Sequence, residues 1–351
     1  MDLLEWLPMY NGRGELHKSR VPIAFGIIVG DELYTAMMVK KDVKDFYQAL
    51  RDKNITEFID IWKNTVKFTA SLDAAINFRN AIVESSTPEQ YAVHTFSING
   101  MSKDEIEKHD IIYMSQFMGH LRKVFLKNDY FSEGQEKLIL NVMPIVLKPI
   151  FDLSENKRSI VPVRTSTERN YTNILIRDNK RLEVVQTDFE APNYDTVFFY
   201  DPVRLALPIQ FSTNNDSFNF SLSLYVAQEF IHYFNSGLVH AANFTLPSRK
   251  ERVDIKELIN EQKIDVDMYD NLTRQQWAGY LVYHALTAVH YDTYSHTPGY
   301  LNFVLDAAVK SIGELEMNKT GIYDSDGLDQ LARLKKELEV VRKEKYVDKS
   351  S

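Results

Sequence analysis

Cysteine is absent from the 351 residues. That single absence removes disulfides, thiolate nucleophiles and Cys-ligated zinc or iron–sulfur centres. Glycine is also scarce, with 13 residues where average usage gives roughly 25. Backbone loops that cradle phosphate are correspondingly few, and neither a Walker A sequence nor a G-x-S-x-G elbow occurs. One G-x-G is present, Gly12-Arg13-Gly14, but His17 stands where a dinucleotide fingerprint needs its third glycine. The expected structure there is a turn.

Long apolar runs are missing too. No stretch approaches ~18 apolar residues, so no membrane span is expected. Met1 to Tyr10 is acidic and aromatic rather than basic followed by a long apolar run, so no signal peptide is expected. The expected location is cytoplasmic, or a virion if the protein is viral. Basic charge is in deficit: 41 Lys and Arg face 49 Asp and Glu, a net charge of −8. Such a balance disfavours a sequence-independent nucleic-acid binder, which needs concentrated cations to displace phosphate counterions.

What is present is a globular composition, 44% hydrophobic and 26% charged, long enough to bury its own core. Asn, Asp, Lys, Tyr, Phe and Ile are abundant, a bias that AT-rich codons produce. A low-GC bacterium or its phage is the expected source.

The local patterns order the chain. Ile23 to Val29 and Leu33 to Val39, joined at Gly30, predict an N-terminal β-hairpin. From Lys41 to about Asp152 the spacing is helical, with Val43, Phe46, Tyr47 and Leu50, then Phe58, Ile59, Trp62 and Val66, recurring on one face. Ser102 and Ser132 carry N-cap chemistry, predicting helices over 103–127 and 133–150, the second kinked or ended by Pro144 and Pro149. Residues 157–223 predict a block of short strands: Ile160 to Arg164, Asn173 to Arg177, Leu182 to Thr187, Thr196 to Tyr200, Leu207 to Ser212 and Phe218 to Leu222.

Helices are expected again over 224–242, 254–262, 272–293, 299–316 and 326–345. The last carries Leu331, Leu334, Leu338 and Val341 at a/d-like spacing, a stripe that must dock on this chain or on a neighbour. The expected class is therefore α+β, mostly helical, with an N-terminal β-hairpin and a central antiparallel β block. Its regions are 1–152, 153–223 and 224–351, which can all belong to one domain.

Five of the nine histidines fall between 232 and 296: His232, His240, His284, His290 and His296. Glu229 and His232 form Glu-x-x-His, which on a helix sets carboxylate and imidazole on one face. At about 100° per residue His240 returns to nearly that face. Glu229, His232 and His240 are thus a candidate metal site, completed by His284, His290 or His296. The bland alternative is packing among Tyr225, Phe230, Tyr233, Phe234, Tyr280 and Tyr283. Asp292 and His296 are four apart, but Thr297-Pro298-Gly299 ends the helix beside them.

Glu183, Asp188, Glu190, Asp195 and Asp201 cluster around the expected strands, yet the acid-x-Lys spacing of a nuclease site is missing. Solvated strand faces account for them. Arg158, Arg164, Arg169, Arg177, Lys180 and Arg181 make the most basic stretch. Arg177, Lys180 and Arg181 are the candidate contacts for nucleic acid or, preferred at this net charge, for an acidic protein partner. No catalytic residue or cofactor is assigned. The expected function is a non-enzymatic structural or assembly protein, a phage or viral component acting as a homo-oligomer or with other protein subunits. A metal-dependent enzyme using the C-terminal histidines and a nucleic-acid-binding accessory factor are the alternatives.

Overall fold

The computed structural model describes residues 24–29, 32–37, 44–45, 55–86, 114–115, 117–126, 130–151, 162–165, 174–178, 182–186, 194–197, 199–213, 217–243, 254–289 and 299–347. Nine helices are described with residue bounds: α1 Ile55–Ser86, α2 Glu133–Val146, α3 Lys148–Phe151, α4 Tyr200–Thr213, α5 Phe220–Asn243, α6 Ile255–Gln262, α7 Asn271–Ala288, α8 Tyr300–Glu316 and α9 Ser325–Val347. A further helical segment covers 117–125.

The expected α+β class, with its central antiparallel block, is corrected: the described residues are mostly helical. The described strands fall into three separate ladders, and none makes a central sheet. One is the two-stranded ribbon β1 (Ala24–Val29) with β2 (Glu32–Met37). The second joins β3 (Lys44–Asp45), β5 (Ile174–Asp178) and β6 (Leu182–Gln186), and the third pairs β4 (Pro162–Thr165) with β7 (Tyr194–Val197). Lys44 and Asp45, expected in a helix, pair instead with Ile176 and Leu175. Leu207 to Ser212, expected as a strand, lies inside α4, and Phe220 to Leu222 opens α5.

The physical reason is burial on all sides. From Asp201 to Phe211 only Arg204 keeps appreciable exposure, so the segment reads as one apolar run, and such a run does not distinguish a buried strand from a buried helix. Pro208 deepens the ambiguity, because it has no N–H to donate to the Arg204 carbonyl one turn earlier.

Ser132 starts α2 with the capping box its sequence promises: its hydroxyl accepts from the Gln135 N–H, and the Gln135 side chain accepts from the Ser132 N–H. Helix α2 ends at Val146, five residues short of the far end of α3, and Pro149 falls within the short helix that follows.

Helix α7 is the hub. Fourteen of its residues are buried, including Gln275, Gln276, Trp277, Tyr280 and Tyr283, so nearly every side meets protein. It packs on α8, α2 and α3, while α1 packs on α5, and α8 on α9. Two polar side chains of α7 are matched in place: Gln276 Nε2 donates to the Pro149 carbonyl at 3.0 Å, and Trp277 Nε1 to Ser223 Oγ at 2.9 Å. Gly279 and Gly237 mark close approaches; a Cβ on Gly237 would lie 2.9 Å from the Ala74 Cβ, where α5 crosses α1.

The stripe on α9 finds its partner inside the chain. Leu331, Leu334, Leu338 and Val341 are all buried, in a helix packed on α8 and α2. Polar contacts flank it, with Lys335 Nζ 2.6 Å from Glu316 and Gln135 Nε2 donating to Glu337 at 2.9 Å. The turn between α8 and α9 uses Asn318 at a φ of 44° and Gly321 at 71°, the left-handed region that Asn tolerates and Gly favours. Asn318 then locks the turn by bonding both the N–H and the carbonyl of Tyr323.

Candidate functional site

The metal candidates do not converge. Glu229, His232 and His240 all lie on α5, with Glu229 half-buried and both histidines exposed. Eight residues of helix separate the imidazoles by about 12 Å along the axis, too far for one ion. His232 sits against the ring of its neighbour Tyr233, centroids 5.2 Å apart. Among the described residues no group of three His, Asp or Glu side chains is placed to hold a metal ion. His290 and His296 lie outside the described residues, as do Lys180 and Arg181.

Of the basic stretch, Arg164 and Arg177 are described as strand positions. In register, Arg164 stands opposite Asp195, and Arg177 opposite Glu183.

A set of aromatic side chains does meet. It forms around aromatic anchors on three elements: Phe117 in the 117–125 helix, Phe199 just before α4, and Tyr280 on α7. Phe117 lies edge-on to Tyr280, Tyr283 and Phe151, with centroids 6.0, 4.6 and 5.8 Å away. Phe199 packs at 5.5 Å from Trp277 and 6.2 Å from Tyr280. Edge-to-face contacts of this kind hold the three elements in fixed relation.

Three to five residues beyond each anchor stands a basic residue: His120 after Phe117, Arg204 after Phe199, and His284 after Tyr280. The His120 ring lies 6.4 Å from that of Tyr283. Burial, joined by the charge of Arg204 and by His120, lowers the pKa of His284 from 6.5 to about 3. His284 is therefore a neutral imidazole at neutral pH, offering one N–H and one lone pair. Arg204 beside it keeps its charge. Asp201, buried in the first turn of α4, places a carboxylate at the positive end of that helix.

The sequence singles out His284 as one of five C-terminal histidines. It gives no sign of His120 or Arg204, which belong to other segments and share no spacing with it.

The pKa of His284 has a direct consequence for stability. The unfolded imidazole takes a proton near pH 6.5 and the folded one only near pH 3, so the unfolded chain binds more protons between those values. This contribution to stability is whole above pH 6.5 and is lost as pH falls toward 3. Urea unfolding at pH 7 and pH 5 is expected to show a smaller drop in midpoint for His284→Gln than for the wild type. Equal drops in the two proteins contradict the assignment.

Comparison of the chain with family models, with curated proteins and with solved structures finds no match.

Proposed function

We propose that the protein is a non-enzymatic structural or assembly component that works as an oligomer. The observation that carries this reading is how the helical body uses its ionisable side chains. Asp306 meets Lys310 and Arg342, Arg274 meets Glu314, and Lys335 meets Glu316, mostly joining one helix to another. A catalytic centre needs such groups to converge on a place a substrate can occupy. The candidates Glu229, His232 and His240 are instead strung along one outer face.

Contact with other chains falls to exposed apolar side chains, since the stripe of α9 is already covered. Leu126 is 86% exposed, Tyr269 53%, Val239 51% and Met317 48%. Apolar surface left in water is what a protein contact removes. The AT-rich character of the composition supports a phage source. No described helix is long and apolar enough to cross a membrane.

The competing metal-enzyme reading meets this one in a simple experiment. Protein incubated with zinc or manganese and then desalted is expected to retain far less than one ion per chain. His232→Ala and His240→Ala are expected to leave that residue of metal unchanged. Stoichiometric metal in the wild type, lost in these variants, contradicts the proposal.

A further inference from the structure

The inward stripe of α9 is covered, and its outer face is not. Between positions 330 and 343 the exposed side chains are Ala332, Arg333, Lys336, Val340 and Lys343, three cations and no acid. In a chain of net charge −8 this face runs against the overall field. None of the three cations forms an ion pair or hydrogen bond among the described residues, whereas their neighbours do: Lys335 meets Glu316 and Arg342 meets Asp306.

The opposite character appears between α6 and α7. There Ile264, Val266 and Met268 are buried while Asp265, Asp267 and Tyr269 are exposed, with Asp270 exposed after them. Such alternation is that of an extended chain, and α5 pins it in place. Asn235 bonds both the N–H and the carbonyl of Ile264 at 2.9 Å, and Gln228 accepts the Met268 N–H at 3.3 Å. Asp267 and Asp270 each use one oxygen on nearby backbone N–H groups, and Asp265 forms no ion pair or hydrogen bond among the described residues. The acidic edge is thus fixed before any partner arrives, which spares the partner the cost of ordering it.

We propose that the outer face of α9 docks against the 265–270 edge of a second copy of this chain. The lengths match: Arg333 to Lys343 covers about 15 Å of helix, and Asp265 to Tyr269 about 13 Å of extended chain. Cations face carboxylates along the contact, an arrangement that steers encounter and fixes register. Val340, 38% exposed, and Tyr269, 53% exposed, add apolar surface to be removed from water. The two faces differ, so the contact is head-to-tail, and repeated copies close into a ring or run on as a filament. A nucleic acid would engage the cations alone and leave the acidic edge unused. This inference rests on the assembly reading and names the surfaces that carry it.

The test is sedimentation velocity on the full-length chain at low salt and at about 1 M NaCl, where the Debye length falls to roughly 3 Å. Association is expected to weaken at high salt. One variant carries Arg333→Glu, Lys336→Glu and Lys343→Glu; the other carries Asp265→Lys and Asp267→Lys. Each is expected to associate about tenfold more weakly or worse, with an unchanged circular dichroism spectrum because all five side chains are exposed. Since Asp267 also bonds the Tyr269 N–H, Asp265→Lys alone repeats the test without touching that turn and is expected to weaken association several-fold. Mixing the two charge-reversed variants is expected to restore association, because each then meets a face of opposite sign. Wild-type mass kept by both variants overturns the proposal and leaves the assembly reading standing, whereas a monomeric wild type overturns both. Binding of the wild type to a DNA or RNA duplex, lost in the α9 variant and kept in the other, overturns the choice of a second copy.

Discussion

Replacing Asp306 with alanine is expected to cost about 3–5 kcal/mol, the range seen when one member of a buried charged set is removed. Asp306 is 3% exposed in the middle of α8. One carboxylate oxygen accepts the Phe218 N–H at 2.8 Å and lies 2.9 Å from Lys310 Nζ; the other lies 2.5 Å from an Arg342 nitrogen. A single side chain therefore ties α8 to α9 and to the backbone just ahead of α5.

Alanine leaves the buried Phe218 N–H without an acceptor, and it leaves the Arg342 guanidinium with only the Asn302 side-chain oxygen, 2.8 Å from its Nε. Lys310 loses less. It is more exposed, and it still donates to Ser217 Oγ at 2.6 Å and the Phe218 carbonyl at 2.7 Å. Asp306→Asn keeps an acceptor for Phe218 and is expected to cost roughly half as much. Urea unfolding midpoints decide the matter, and an alanine variant within about 1 kcal/mol of wild type contradicts the role assigned to Asp306.

Gly279→Ala is expected to destabilise by about 2–4 kcal/mol, although alanine gains roughly 1 kcal/mol over glycine in a helix interior. A Cβ at position 279 would lie 2.5 Å from the Val146 carbonyl oxygen and 3.5 Å from its carbon. The obstacle is backbone at the end of α2, which cannot rotate aside as a side chain can. Either α7 moves off α2 and α3, or the α2 terminus distorts. Gly134 in α2 is the control, since a Cβ there meets nothing within 4 Å. Gly134→Ala is expected to be neutral or mildly stabilising. A thermal melt in which both variants behave alike contradicts the close approach of α7 to α2.

The helices were legible where burial is one-sided. Helices α1, α2 and α9 show apolar residues at helical spacing against a polar face, and Ser132 announces its helix by a capping box. Where burial surrounds the helix the periodicity vanishes, which is why Leu207 to Ser212 reads as a strand and folds as α4. The stripe of α9 was legible as a docking face, but not its partner, because a/d-like spacing is the same whether the covering helix belongs to this chain or to another.

The site was harder still. Glu229, His232 and His240 share a face, as their spacing requires, yet sharing a face does not bring imidazoles to one point. Phe117, Phe199 and Tyr280 meet from three separate elements, a tertiary arrangement that no local spacing encodes. Asp306 did carry a signal: a lone acid between Leu305 and Ala307 in the apolar run Val304 to Val309. An ionised group in such a run needs a buried partner, and Arg342 supplies it from the next helix.

Native mass spectrometry of the purified chain tests the functional account most directly, because one spectrum reports assembly and bound metal together. The account predicts a species of two or more chains, each of 40.8 kDa, without stoichiometric metal. A monomer carrying one or two metal ions per chain contradicts it.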